Sequence, residues 1–140
     1  MSKLIIYTDG GARGNPGPAG IGVVILNEKG KVLKEVSEYL GGATNNFAEY
    51  EALVRAFEEA QKIFGEKIKS MAIEVRMDSE LIVRQMQGVY KVKESTLKEQ
   101  FARVGQLIGA LDNISFTHVV REKNAHADKL VNDAIDSATK

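Results

Sequence analysis

The stretch IIYTDGGARGNPGPAG, residues 5–20, runs from apolar residues into an acid and then into glycine and proline. Lys3–Thr8 is apolar on both faces through Leu4, Ile5, Ile6 and Tyr7, the pattern of a central strand. Asp9 closes that strand, and no helix follows it. A buried carboxylate without a partner is costly, so either Arg13 neutralises Asp9 or a cation does. The segment after it has no Gly-Lys-Ser/Thr ending and no helix behind it, which argues against a phosphate-cradling P-loop. It reads as a tight connection between antiparallel strands, where Gly accepts positive φ and Pro fixes the turn. Beside a charged site it is also a thin wall that a polymer backbone can approach closely.

Ala19–Leu26, rich in Val and Ile, is the next strand, followed by the turn NEKGK (27–31) and an alternating strand around Val32–Tyr39, which together read as a hairpin. From Asn45 the period becomes helical, with Tyr50, Leu53, Val54, Phe57 and Phe64 on one face. Ile73, Val75 and Met77 alternate with Glu74, Arg76 and Asp78 as a strand does. Leu81–Met86 reads as a short helix ended by Gly88, Thr96–Leu111 as a longer one, Ile114–Val119 as a last strand and residues 127–138 as a terminal helix. The order is β-β-β-α-β-α-α-β-α, without repeats or linkers, and residues 1–140 are expected to form one domain.

With 140 residues, of which 44% are apolar and 27% charged, the chain suits a soluble globular domain. No apolar run approaches a membrane span and no signal pattern opens the chain, so a cytoplasmic address is expected. The absence of cysteine rules out disulfides and thiolate metal sites. The net charge is zero. A protein that wraps a duplex by charge alone is strongly basic, so a nucleic-acid role here must rest on a local patch or on metal ions.

Four carboxylates stand at element ends: Asp9 after the first strand, Glu49 in the first turn of the first helix, Asp78 after the fourth strand, and Asp128 in the first turn of the last helix. Three of them also have ordinary structural readings. Asn46 and Glu49 fit a capping box, Asp78 fits an N-cap, and Asp128 complements a helix dipole with Asn124 capping. If the first and fourth strands are neighbours, however, Asp9 and Asp78 emerge side by side and repel unless a proton or metal ion separates them. Oxygen ligands without His or Cys suit Mg²⁺ or Mn²⁺, and carboxylates around two such ions serve in-line displacement at phosphorus.

YTDGGARGNPGPAGIG, TNNFAEYEAL, MDSELIVRQMQG and REKNAHADKLVNDA occur in that order and span essentially the whole chain. Together they closely resemble type 1 ribonuclease H. The resemblance implies an α/β, ribonuclease H-like fold: a five-stranded mixed sheet, three antiparallel strands followed by parallel additions, with helices on both faces. It implies a monomeric endonuclease that cuts the RNA strand of RNA–DNA hybrids, leaving 5′-phosphate and 3′-hydroxyl ends. It places two Mg²⁺ ions, which Mn²⁺ replaces, on Asp9, Glu49, Asp78 and Asp128 when substrate is bound. Asp9 would bridge both ions, Asp128 would hold the water-activating one, and Glu49 and Asp78 the one at the leaving oxygen. Asn15, Asn46 and Ser79, with main-chain groups at Gly10 and Gly11, match positions that face the hybrid. A hybrid is told from DNA by its 2′-hydroxyls, which both donate and accept, and Asn amides suit such groups.

Some relatives carry a long basic, Trp-rich insertion where this chain has only GVYKVKESTLKE (88–99), and the chain contains no Trp. Lys91, Lys93 and Lys98 are a modest substitute, so weak hybrid affinity is expected. Many relatives place a His before the last acid. Here His118, ten residues before Asp128, His126, and Arg121 within REKN compete for that place, and Arg121 is favoured. A catalytically silent hybrid-binding module and a resolvase- or exonuclease-like relative are the rival readings. Four intact acids argue against the first; TNNFAE and the Gly-rich hairpin argue against the second.

Overall fold

The computed structural model describes residues 2–140. Its strands are β1 (Lys3–Ala12), β2 (Gly17–Asn27), β3 (Val32–Ala43), β4 (Ala72–Met77) and β5 (Asn113–His118). They form one mixed sheet of order β3-β2-β1-β4-β5, with β1, β2 and β3 antiparallel and β4 and β5 added in parallel. The helices are α1 (Asn45–Phe64), α2 (Glu80–Met86), α3 (Ser95–Ile108) and α4 (Ala125–Ala138). This is the expected element order and sheet.

The strand periodicity explains the layering. Leu4 and Ile6 of β1, Ile21, Val23 and Ile25 of β2, and Ile73, Val75 and Met77 of β4 are all buried and share one core. α1 packs against β1 and β2, and presents Tyr50, Leu53, Val54 and Phe57 to that core. Burying each such side chain stabilises the fold by about 2 kcal/mol. Tyr50 brings a polar tip into the core, and its hydroxyl donates to Gln85 Oε1 at 2.6 Å, so the group is not left unpaired. α4 lies on the opposite face, over β2, β3 and β1, while α3 packs on α1.

Three boundaries differ from the sequence reading, and each difference concerns a candidate acid. The first strand does not end at Asp9. It continues to Ala12, paired to β2 through Ala12↔Ala19, and only its parallel pairing with β4 stops, at Tyr7↔Arg76. Asp9 is therefore inside a strand whose one neighbour has just run out. Glu49 is not in the first turn of α1, and Asn46 and Glu49 form no capping box. Thr44 is the N-cap, its Oγ1 accepting from Phe47 N–H at 3.2 Å, and Glu49 enters the second turn. Asp78 is not an N-cap either: Ser79 takes that place before α2. Asn124 does sit at the N-cap position of α4, but its side chain makes no capping bond; it donates to the Thr8 carbonyl at 2.9 Å instead.

Candidate active site

The acids meet above the line where β1 and β4 part. Gly10 N–H donates both to Asp9 Oδ1, at 3.0 Å, and to Glu49 Oε1, at 2.7 Å. One amide thus ties β1 to α1 and sets two carboxylates together. The approach is possible only because residue 10 lacks a side chain: a Cβ there would stand 2.3 Å from the carbonyl carbon and oxygen of Ala48. Carboxylate oxygens of Asp9, Glu49 and Asp78 lie within 4.8 Å of one another. Asp128, in the first turn of α4, lines the same open cavity of about 490 Å³.

The electrostatics follow from that crowding. Burial, then repulsion from Asp78 and Asp128, pushes the Asp9 carboxyl up to about 8. Burial, then Asp9 and Asp78, holds Glu49 well above the usual carboxylate range. Asp78 is also raised, by burial first, although the Arg121 guanidinium pulls it back. Acids placed like this favour protonation unless a cation joins them. Arg13 is not that cation: it pairs with Asp136 at 2.6 Å and with Asn132 at 3.1 Å. A cluster of hard oxygen donors, raised for want of positive charge and open to solvent on one side, fits a divalent ion.

Of the other residues singled out in the sequence, Gly10, Gly11, Asn46, Ser79 and Arg121 line the cavity. α1 by itself requires a glycine at position 10. Gly11 is different, since a Cβ there would meet only ordinary contacts, 3.8 Å from Asn45 Oδ1 and 3.9 Å from Val131. Asn15 is not in the cavity wall. Its Oδ1 accepts from Asn45 N–H at 3.0 Å and so fastens the glycine-rich turn to the start of α1. Neither His lines the cavity. His118 is exposed at the end of β5, and His126 pairs with Glu35 of β3.

Arg13, considered above as a partner of Asp9, also lines the cavity, as do Asn45 and Asn132, which were not among the expected residues. Asn45 Oδ1 accepts from Ala12 N–H at 2.8 Å, joining β1 to α1. Asn132 donates to the Asp128 main chain at 3.1 Å and lies 3.4 Å from its carboxylate. The signal for Asn132 was in the sequence, four residues after Asp128 and hence on the same helical face.

A family model described as reverse transcriptase-like matches residues 7–134. The Halobacterium salinarum protein named ribonuclease HI is 39% identical over 136 residues, covering 97% of this chain and 66% of that protein. The bifunctional protein Rv2228c of Mycobacterium tuberculosis is 40% identical over 137 residues, 97% of this chain but 36% of its own length. The chain thus spans about a third of the mycobacterial relative. Among solved structures, LC11-RNase H1, isolated from compost by a metagenomic approach, superposes with a TM-score of 0.94 at 65% identity, over 100% of both chains. The same protein in complex with an RNA/DNA hybrid gives a TM-score of 0.94 at 64% identity, over 98% of this chain and 99% of that one.

Proposed function

The chain belongs to the type 1 ribonuclease H family, and from that premise we propose that it is an endonuclease hydrolysing the RNA strand of RNA–DNA hybrids. The observation that carries this reading is the acid cluster itself: three buried or half-buried carboxylates with oxygens within 4.8 Å, in a cavity also lined by Asn45, Asn46 and Ser79. The 64% identical protein solved with a hybrid supports the substrate.

Asp9, Glu49, Asp78 and Asp128 would hold two Mg²⁺ ions, or Mn²⁺, when the hybrid is bound. Such ions supply positive charge at the attacking and leaving oxygens of an in-line displacement and help to generate the nucleophile. The chain's own groups do the rest. Gly10 N–H fixes Asp9 and Glu49 relative to each other, so the acids are positioned before substrate arrives. Asn45, Asn46 and Ser79 offer hydrogen-bonding groups to 2′-hydroxyls in the minor groove, and the half-buried main chain at Gly11, which lines the cavity without a side chain, admits the RNA backbone. Asn15 acts one step back, by holding Asn45. A water oxygen bonds to phosphorus while the bond from phosphorus to the 3′ oxygen breaks, leaving 5′-phosphate and 3′-hydroxyl ends. Arg121 faces the same cavity, and its fork suits the scissile or departing phosphate.

Lys91 and Lys93 line a groove that shares Asn46 with the acid cavity, so they serve the second strand's phosphates; Lys98 does not line it. One gel tests this reading: labelled RNA–DNA hybrid, RNA duplex and DNA duplex, each with Mg²⁺ and with excess chelator. Cutting of the RNA in the hybrid alone, abolished by chelator, is expected. An uncut hybrid beside a cut DNA duplex would refute it and favour the exonuclease- or resolvase-like reading.

A further inference from the structure

Asp9, within β1, and Asp78, just after β4, stand beyond the last registered pair of these two neighbouring parallel strands, Tyr7↔Arg76. Each of these residues precedes its acid by two positions. Strand residues two apart share a face at a spacing of about 7 Å, so Tyr7 lies beneath Asp9, and Arg76 lies where β4 leads up to Asp78.

The two side chains are joined. One Arg76 Nη donates to the Tyr7 hydroxyl at 2.6 Å, and the other to Glu74 Oε1 at 3.1 Å. Glu74 in turn accepts from Thr117 Oγ1 of β5 at 3.0 Å and pairs with Lys3 of β1 at 3.3 Å. A polar belt therefore crosses β1, β4 and β5 one step below the acids. The helix on that face, α4, covers β2, β3 and β1, so on that face the belt adds a side-chain tie to the backbone ladder between β1 and β4, at its last rung.

The tie stands where it matters. Immediately above it the strands stop pairing, and above that stand acids that repel one another. Glu74 already offsets the Arg76 charge, so the belt contributes rigidity more than positive potential. Only a planar fork reaches the Tyr7 hydroxyl and Glu74 together.

We propose that Arg76, anchored on Glu74 and bonded to Tyr7, is a positioning residue that fixes the spacing of Asp9 and Asp78 and thereby sets the divalent-cation affinity of the acid cluster. This rests on the reading of the cluster as a cation site. Calorimetric titration of Mn²⁺ into the nucleic-acid-free protein tests it, with Tyr7→Phe, Arg76→Lys, Arg76→Met and Arg103→Met compared. Arg103 makes a comparable ion pair, 2.8 Å from Glu51, between α3 and α1, and controls for lost stability. Removing an outer support of a metal site costs about 10-fold in affinity or more. Arg76→Met is expected to weaken Mn²⁺ binding about 10-fold and Tyr7→Phe about 3-fold. Arg76→Lys is expected to fall between wild type and Arg76→Met, and Arg103→Met to bind as wild type does despite a lower Tm. Wild-type affinity in Tyr7→Phe and Arg76→Met, or an equal loss in Arg103→Met, would overturn the belt while leaving the cation site standing. If Arg76→Met does not fold, Tyr7→Phe, which removes one hydroxyl, decides alone. A wild-type protein that takes up no divalent cation would overturn the site reading along with the belt.

Discussion

Asp9 and Gly22 are cross-strand partners, and Gly22 lies so close beneath α4 that a Cβ on it would stand 2.1 Å from the carbonyl oxygen of Ala127. Ala127 is the residue before Asp128. The bare Cα of Gly22 is thus what lets the first turn of α4 settle on β2 and bring the fourth acid to the other three. Gly22→Ala is expected to push α4 outward, at a cost of about 3 kcal/mol, or roughly 10 °C in Tm. Catalytic loss should exceed that of an equally destabilised variant elsewhere. Thermal melts and hybrid cleavage below the transition check both; an unchanged Tm would mean that α4 shifts freely and the contact is unimportant.

Asp9→Asn should nearly abolish cleavage and yet stabilise the metal-free protein. The Asp9 carboxyl is pushed up to about 8, chiefly by burial, so near pH 8 its ionisation opposes folding, and a neutral amide relieves that penalty. A gain of about 1–3 kcal/mol in chemical denaturation is expected. Were Asp9 a structural partner of Arg13, the variant would lose stability instead; Arg13 is already paired with Asp136.

The same shifts give the metal-free protein an unusual pH dependence. Asp9, Glu49 and Asp78 are all raised, so between about pH 4 and 8 the folded state binds more protons than the unfolded one. Stability must then fall as pH rises through that window. Glu74 acts oppositely. Hydrogen bonds, first from Arg76, hold it down to about 2, so its contribution is present above about 4.5 and is lost as pH falls towards 2. In chelator the stability maximum should therefore lie on the acid side, near pH 4–5. Mg²⁺ should raise stability mainly above pH 6, and Glu74→Gln should remove much of the acid-side loss. Melts across pH 3–9, with and without Mg²⁺, check this. A metal-free maximum above pH 7 would contradict the crowding of the acids.

Arg121 lines the cavity, whereas His118 and His126 do not. Arg121→Ala is expected to lower kcat about 10-fold, equivalent to roughly 1.4 kcal/mol, without weakening Mn²⁺ binding, and Arg121→Lys to recover part of it. A guanidinium stays charged at working pH, and neither His lines the cavity, so the pH–rate profile should be unchanged in His118→Ala and His126→Ala. A damaging His118→Ala beside a silent Arg121→Ala would reverse the assignment.

Much of this was legible in the sequence, for identifiable reasons. Apolar residues on both faces of Leu4–Tyr7, the alternation through Ile73–Met77 and the helical period from Tyr50 to Phe64 each reported part of the core. Asp9 and Asp78 were visible because each follows such a strand pattern and breaks it, and Glu49 and Asp128 because each stands near the start of a helix. What stayed hidden depends on contacts distant in the chain. Gly10 reads as a turn glycine until Ala48 is seen against it. The bond that Asn15 Oδ1 accepts from Asn45 N–H is hidden in the same way. Strand β1 reads as ending at Asp9, because sequence cannot show that the pairing with β2 outlasts the pairing with β4. The Tyr7–Arg76 tie is invisible for the same reason: its partners are 69 positions apart.

The most direct test of the account is the chemistry of the cut ends. An RNA–DNA hybrid is incubated with the protein and Mg²⁺, and the RNA fragments are weighed by mass spectrometry, with a parallel reaction in excess chelator. The acid cluster acting on water predicts 5′-phosphate and 3′-hydroxyl ends, and no cleavage once the divalent ion is removed. Fragments ending in 2′,3′-cyclic phosphate, formed at an undiminished rate in chelator, would show attack by the RNA's own 2′-hydroxyl and contradict the account.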